Sequence, residues 1–304
     1  MPQNPENPFH DIPKADVHNH FHLGGSKKWF FEIYKDLTIH FPDHYEGLPG
    51  MIDFIMNHLN NYLTTSHDVL YFMENSIMSS IDDNVKYLEA SVDINSARFF
   101  DDSIEAIIRE TQKLVDQYRD QIDFQPEIGI NKDLELKTAY AYAEQCISSG
   151  VFKSIDLYGR EANQDLSPFV DLYKSAKENH LNTKVHIGEF SNAESIKTAI
   201  LLLNPDEIQH GINAIHDDYV MDMILERNLR LNICPESNIR LGAATSLKNH
   251  PIRILYDKGI SITVNTDDLL LFHKTNSDQL YELLQEGIFS QNEIEGILRN
   301  SFTS

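Results

Sequence analysis

Two rhythms of apolar and polar positions trade places along this 304-residue chain. Short β-rich runs read as strands: ADVHNHFH (15–22), VKYLEASVDI (85–94), DFQPEIGI (123–130), FKSIDLYG (152–159), TKVHIGE (183–189), EIQHG (207–211), LRLNICPES (229–237) and SITVNTDD (261–268). From residue 80 onward they alternate with segments whose apolar residues recur at three and four, as Ile104, Ile107, Ile108, Leu114 and Val115 do in 103–119. Further helices are expected at 136–150, 167–180, 192–203 and 217–228, with Asn192 and Ser167 as N-terminal caps. Strands alternating with helices imply parallel βαβ units, and eight of them predict one α/β domain over residues 1–304, a (β/α)8 TIM barrel. The interval of about 27–84 breaks the alternation with aromatic-rich helical text, WFFEIY and VLYFMENSIM. It is expected to be a helical excursion between the first and second strands that roofs the barrel's C-terminal end, its aromatic faces packing on the barrel.

Composition narrows the function. With 25 basic residues against 47 acidic and a formal charge of −22, the surface repels phosphate backbones and anionic membranes, so neither nucleic acid nor membrane is an expected partner. Cys146 and Cys234 make neither a disulfide framework nor a CxxC pair, and Cys234 reads as a buried strand residue rather than a nucleophile. The opening MPQNPENPFHDIP lacks a basic region and an apolar run, so it does not read as a signal peptide; a cytoplasmic location is expected, and the oligomeric state is left open. No GxGxxG or GxxxxGK[ST] loop follows a strand, against a nucleotide-binding sheet.

Candidate chemistry gathers at the strand ends. Strand one ends in His18 and His20, strand five in His186 and Glu189, strand six in His210, and strand eight in Asp267 and Asp268. In a barrel these ends converge on one mouth. Three imidazoles (His18, His20, His186) and the Asp267 carboxylate suit a divalent metal such as zinc, with a position left for a water whose pKa the metal lowers. Glu189 stands close enough to shuttle protons, and His210 and Asp268 to orient the hydroxide. Gly188 leaves backbone room beside the metal. His10, His40, His44, His58, His67, His180, His216, His250 and His273 read as surface or core histidines, and Arg160-Glu161 as an exposed ion pair.

Five segments in order, IPKADVHNH, VHIGE, QHG, ICPESN and VNTDD, resemble the signature motifs of the adenosine deaminase family within the amidohydrolase superfamily. The resemblance runs from about Pro13 to Asp268. It implies a (β/α)8 barrel with one catalytic zinc per chain, hydrolysing the 6-amino group of a purine-type small molecule and releasing ammonia by attack of zinc-bound hydroxide. Carried over by position, it implies zinc ligands His18, His20, His186 and Asp267. Glu189 would protonate the purine ring, His210 would orient and deprotonate the water, Asp268 would pair with water and a ring nitrogen, and the Gly159 amide would meet the purine.

The departures are specific. Where the family places Leu-Asp-Gly, with the Asp on the ribose, this chain has Phe21-His22-Leu23, so His22 faces the ribose side. Two registers stay open, His18 with His20 or His20 with His22 as the metal pair; the first keeps Pro13-Lys14 and Asp16 at family spacing. Leu269-Leu270-Leu271-Phe272 replaces a usual Pro and is expected as an apolar loop facing the mouth. Glu89-Ala90-Ser91 replaces Glu-x-Arg, with Arg98 further on. The substrate is thus expected to be adenosine or a related 6-aminopurine. The alternatives are a mononuclear hydrolase of another bond and a purine-binding protein without turnover. Lys153 at the start of strand four, not its end, disfavours a two-metal site.

Overall fold

The fold comes from a computed structural model, which describes residues 7–35, 39–162 and 164–302. Its strands are β1 (Lys14–Asp16), β2 (Val85–Asp93), β3 (Asp123–Asn131), β4 (Ser154–Tyr158), β5 (Asn182–Ile187), β6 (Glu207–His210), β7 (Arg230–Ile233) and β8 (Ile262–Val264). Each pairs in parallel with the next, in sequence order. Beyond β8 and β1 the chain closes the ring with a parallel bridge, Asn19 to Asp267. The Val17 N–H donates to Asn265 Oδ1 (3.0 Å), and the Asp267 N–H donates to the His18 carbonyl (2.9 Å). The architecture is the (β/α)8 barrel that the alternation predicts.

Among the described residues three α-helices stand between β1 and β2: α1 (Lys27–Ile33), α2 (Gly47–Asn57) and α3 (Ser66–Asp82). One helix follows each of the next five strands: α4 (Ile104–Tyr118), α5 (Leu136–Ser149), α6 (Val170–Glu178), α7 (Ala193–Leu203) and α8 (Asp218–Glu226). Short helices α9 (Pro235–Arg240) and α10 (Ile252–Asp257) follow β7, and α11 (Leu269–Phe272), α12 (Asn276–Gln285) and α13 (Gln291–Asn300) follow β8. Local chemistry marks their ends. Asn192 caps α7 by accepting from the Ser195 N–H, and Gly150 leaves α5 in the left-handed conformation.

Strand parity sorts the layers. Leu88, Ala90 and Val92 of β2, Ile155 and Leu157 of β4, and Val185 and Ile187 of β5 are buried in the apolar layer beneath the helices. Their neighbours Glu89, Ser91, Asp156, Lys184 and His186 bond one another across the barrel interior. The barrel is therefore filled with polar side chains, and the hydrophobic core is the ring between strands and helices.

Several expectations need correction. β1 ends at Asp16, so His18, His20 and His22 do not alternate on a regular strand; residues 21–23 form a turn. Cys234 caps α9 rather than lying within β7, and β8 stops at Val264. Ser167 does not cap α6; its backbone and hydroxyl bond Asp165, and α6 starts at Val170. Leu269–Phe272 is no loop at the mouth but the fully buried turn α11, with Phe272 edge-on to Tyr45. Gly24 allows close approach: a Cβ there would lie 2.1 Å from Asn19 Oδ1 and 2.5 Å from Ser76 Oγ.

Candidate active site

The C-terminal strand ends surround a cavity of about 330 Å³. His20, His186, Glu189, His210, Asp267 and Asp268 line its floor. Leu48, Met51, Ile52, Ile55 and Met56 of α2 line it from above.

At the floor the described residues offer three overlapping groups whose ligand atoms lie within 4.8 Å of one another: His18–His20–His186, His20–Asp267–Asp268 and His18–His210–Cys234–Asp267. His22 is in none of them. His18 Nε2 meets His186 Nε2 at 3.0 Å, and Asp267 Oδ1 lies 3.4 Å from His20 Nε2 and 4.0 Å from His18 Nε2. The far nitrogens are committed. His18 Nδ1 donates to the Asn232 carbonyl (2.9 Å), and His186 Nδ1 donates to Asp156 Oδ1 (2.9 Å). Both rings thus turn an Nε2 lone pair towards the same point, the arrangement a metal rewards and a metal-free core avoids. Burial, reinforced by the neighbouring imidazoles, pulls His18 well below the ordinary histidine range. Burial opposes charge on His20 as well, but the Asp268 and Asp267 carboxylates outweigh it and raise that ring.

Backbone strain aims two of these groups. Ile208 lies in the apolar layer, and parity would send His210 the same way; a φ of +65° at His210 turns its ring to the interior, 3.6 Å from Glu189 Oε2 and 3.9 Å from Asp267 Oδ2. Asp267 carries a φ of +59°. Non-glycine residues in this region are costly and cluster at functional sites. Gly159, with φ of +100°, lines the cavity where a Cβ would press on Asn131 Oδ1 at 2.9 Å. Gly188 has φ of +79° and packs on Ile196, where a Cβ would clash.

The carboxylates are set for proton traffic. Burial beside Asp267 and Glu161 pushes Glu189 well above the usual carboxylate range, and Asn238 Nδ2 donates to its Oε1 at 2.7 Å. Burial lifts Asp268 to about 7, and its Oδ1 has no protein partner. His22 lines the cavity half-buried, held neutral by burial at about 4, with an unpartnered Nδ1.

Four residues in the site's support carried no signal strong enough to be picked out. Asp156 is a lone carboxylate in the apolar text of β4, the one clue available. Glu161 is buried rather than exposed, and it accepts from the Gly188 (2.7 Å), Glu189 (3.2 Å) and Ser191 (3.0 Å) amides, fixing the turn that carries Glu189. Arg160 pairs instead with Asp133 at the surface. Asn238 belongs to the quoted ICPESN motif without an assigned role, and His250 is a core histidine bonded to it (3.1 Å). Cys234 is buried, its thiol pushed up by that burial, and His216 stands apart from the cavity lining.

A parallel barrel with imidazoles and carboxylates gathered at its C-terminal mouth defines the class, an enzyme of the amidohydrolase kind. The adenosine deaminase family matches residues 13–304. A putative adenosine/adenine deaminase of Treponema pallidum is 35% identical over 290 residues, 95% of this chain and 97% of that one. The crystal structure of adenine deaminase from Arthrobacter aurescens superposes with a TM-score of 0.84 at 22% identity, covering 96% of this chain and 94% of that one. An amidohydrolase of Burkholderia ambifaria, solved with bound Zn, gives 0.77 at 19% identity over 96% and 85%. The chain belongs to the adenosine deaminase family of the amidohydrolase superfamily, hydrolases of C–N bonds in cyclic amidines. No helix among the described residues is long and apolar enough to cross a membrane.

Proposed function

We propose that the chain is a zinc-dependent deaminase that hydrolyses the exocyclic amine of a neutral 6-aminopurine, base or nucleoside, and releases ammonia. The observation that carries the metal assignment is the meeting of His18 Nε2 and His186 Nε2 at 3.0 Å with both Nδ1 atoms already engaged. His18, His20, His186 and Asp267 would hold the zinc, a donor set of three imidazoles and a carboxylate that suits it. A zinc ion there supplies Lewis acidity that brings the pKa of water towards neutrality.

The remaining steps belong to this chain's own residues. Glu189, kept protonated by its burial, gives its proton to the ring nitrogen beside the amino-bearing carbon and makes that carbon electrophilic. His210 orients the attacking water by donating to its oxygen, Asp268 takes one of its protons and passes it to the departing amine, and the second returns to Glu189. The water oxygen forms a bond to carbon, the C–N bond breaks, nitrogen leaves as ammonia, and the ring keeps a carbonyl. The Gly159 amide supports the purine edge, and His22 takes the side where relatives place a ribose-binding acid.

Charge favours a neutral substrate. Among the described lining residues Arg98 is the one Lys or Arg, against the carboxylates Asp93, Asp133, Glu161, Glu189, Asp267 and Asp268. A phosphate entering there meets carboxylates as well as the guanidinium. Zinc-loaded protein should deaminate 6-aminopurine bases or nucleosides, followed by ultraviolet absorbance, and should leave the nucleotides unchanged. Glu189→Gln should lower kcat by about 10²- to 10⁴-fold while retaining the metal. Turnover of none of the panel, or full speed in Glu189→Gln, would refute the reading.

A further inference from the structure

One buried histidine outside the cavity reaches the proton-handling pair through a chain of hydrogen bonds whose direction is set at its far end. That end is the Ile252 N–H, at the first turn of α10, where a backbone donor has no partner within its own helix. It donates to His250 Nδ1 at 3.0 Å. An N–H can only donate, so His250 Nδ1 accepts, and the proton of this neutral ring sits on Nε2. Burial alone pulls His250 down to about 3, which keeps the ring neutral. The Nε2–H therefore donates to Asn238 Oδ1 at 3.1 Å. With the amide oxygen committed to His250, the Asn238 NH2 group must face the other way, where it donates to Glu189 Oε1 (2.7 Å) and to His210 Nδ1 (3.2 Å).

We infer that His250 is a positioning residue for the reaction, holding the Asn238 amide in the orientation that presents its NH2 group to Glu189 and His210 together. All four residues are buried, and His250 and Asn238 stand outside the cavity lining, so the bond between them is shielded from the solvent that enters the cavity. A flipped amide would set a carbonyl oxygen against the Glu189 carboxyl and would draw the His210 proton from Nε2 onto Nδ1. In the observed orientation the His210 proton is on Nε2, the nitrogen nearest Glu189 Oε2 and Asp267 Oδ2. His210 is thereby built to donate to an oxygen in the site, which leaves proton abstraction to a carboxylate.

The role of His250 rests on the deaminase reading, and the experiment separates the two. In the full-length zinc-loaded protein, ¹⁵N imidazole spectra should show His210 protonated at Nε2, and His250→Leu should mix the two tautomers. The same variant should lower kcat on the order of tenfold, as a misplacement does, with KM held within about twofold and zinc content unchanged. His250→Gln, whose amide can still donate to Asn238 Oδ1, should recover most of the rate. The double variant His250→Leu/Asn238→Ala should be no slower than Asn238→Ala, because His250 acts only through that amide. Losses that multiply, or an unchanged rate and His210 spectrum in His250→Leu, overturn the proposal. Should His250→Leu fail to fold, Asn238→Asp keeps the acceptor for His250 and removes the NH2 group; full speed in that variant overturns it equally. If no 6-aminopurine is turned over, the deaminase reading fails while the His210 spectrum still reports on His250.

Discussion

Two buried polar clusters share the barrel interior, two residues apart on β5. Around Lys184, Glu89, Glu127 and Glu207 close in with Arg230, and every charge finds an opposite one. Ser154 donates to Glu127 (2.7 Å), Tyr87 to Glu89 (2.6 Å) and Asn232 to Glu207 (2.7 Å). Burial lifts Glu127 to about 8, so it keeps a proton near neutrality and balances two cations against two carboxylates. Around His186 the opposite holds. Two Nε2 lone pairs meet without a proton for both, Asp268 Oδ1 lacks a partner, and His210 and Asp267 sit on strained backbone. The lower cluster balances its charges within the chain, with Glu127 Oε2 its one carboxyl oxygen without a partner, whereas the upper one leaves the groups that face the cavity unpaired. A buried cluster whose charges balance ties the strands together, whereas one that leaves groups unpaired at a cavity reserves them for chemistry.

Breaking each cluster should therefore give different failures. The largest effect belongs to Lys184→Met, which leaves three carboxyls buried around an apolar chain and should cost about 3–5 kcal/mol in urea unfolding. A loss below about 1 kcal/mol would mean that the lower cluster does not hold the barrel. His186→Ala should do the reverse: zinc measured by elemental analysis disappears, while the unfolding midpoint of the metal-free protein stays near that of metal-free wild type. Unfolding of that variant would make the upper cluster structural too.

Asp156→Asn probes the support of His186 rather than the ligand itself. Zinc affinity, measured by chelator competition, should weaken by about 10- to 100-fold, as loss of an outer partner does. The smallest effect is expected at the cavity's side. His22→Ala should keep zinc and the deamination of the free base, and shift the ratio of nucleoside to base kcat/KM by a few-fold, about 1 kcal/mol. Loss of zinc in that variant would return the metal pair to His20 and His22.

Legibility followed the same divide. β2 to β6 and the helices α4 to α8 were readable because parallel strands and amphipathic helices bury an apolar face at fixed period. β1, β7 and β8 were drawn too long, since the text beyond each is held by side-chain bonds and cross-ring bridges that leave no period. In the site, His18, His20, His186, Glu189, His210, Asp267 and Asp268 were legible from residue type and strand-end position. Asp156, Glu161, Asn238 and His250 were not, because each acts through a partner 12 to 49 residues away. The role expected of Leu269–Phe272 changed for the same reason: what it touches comes from distant segments.

Taken alone, the order of apolar runs determined a closed barrel, because eight alternations of short strand and amphipathic helix bury their apolar faces efficiently in one ring. It also determined which residue types stand at the strand ends. Folding decided their state. The 3.0 Å approach of His18 to His186, the inward turn of His210 and the orientation of the Asn238 amide depend on partners that meet only when the ring closes. Periodicity is a local property of the chain; direction of a hydrogen bond and the protonation it imposes are properties of the neighbours.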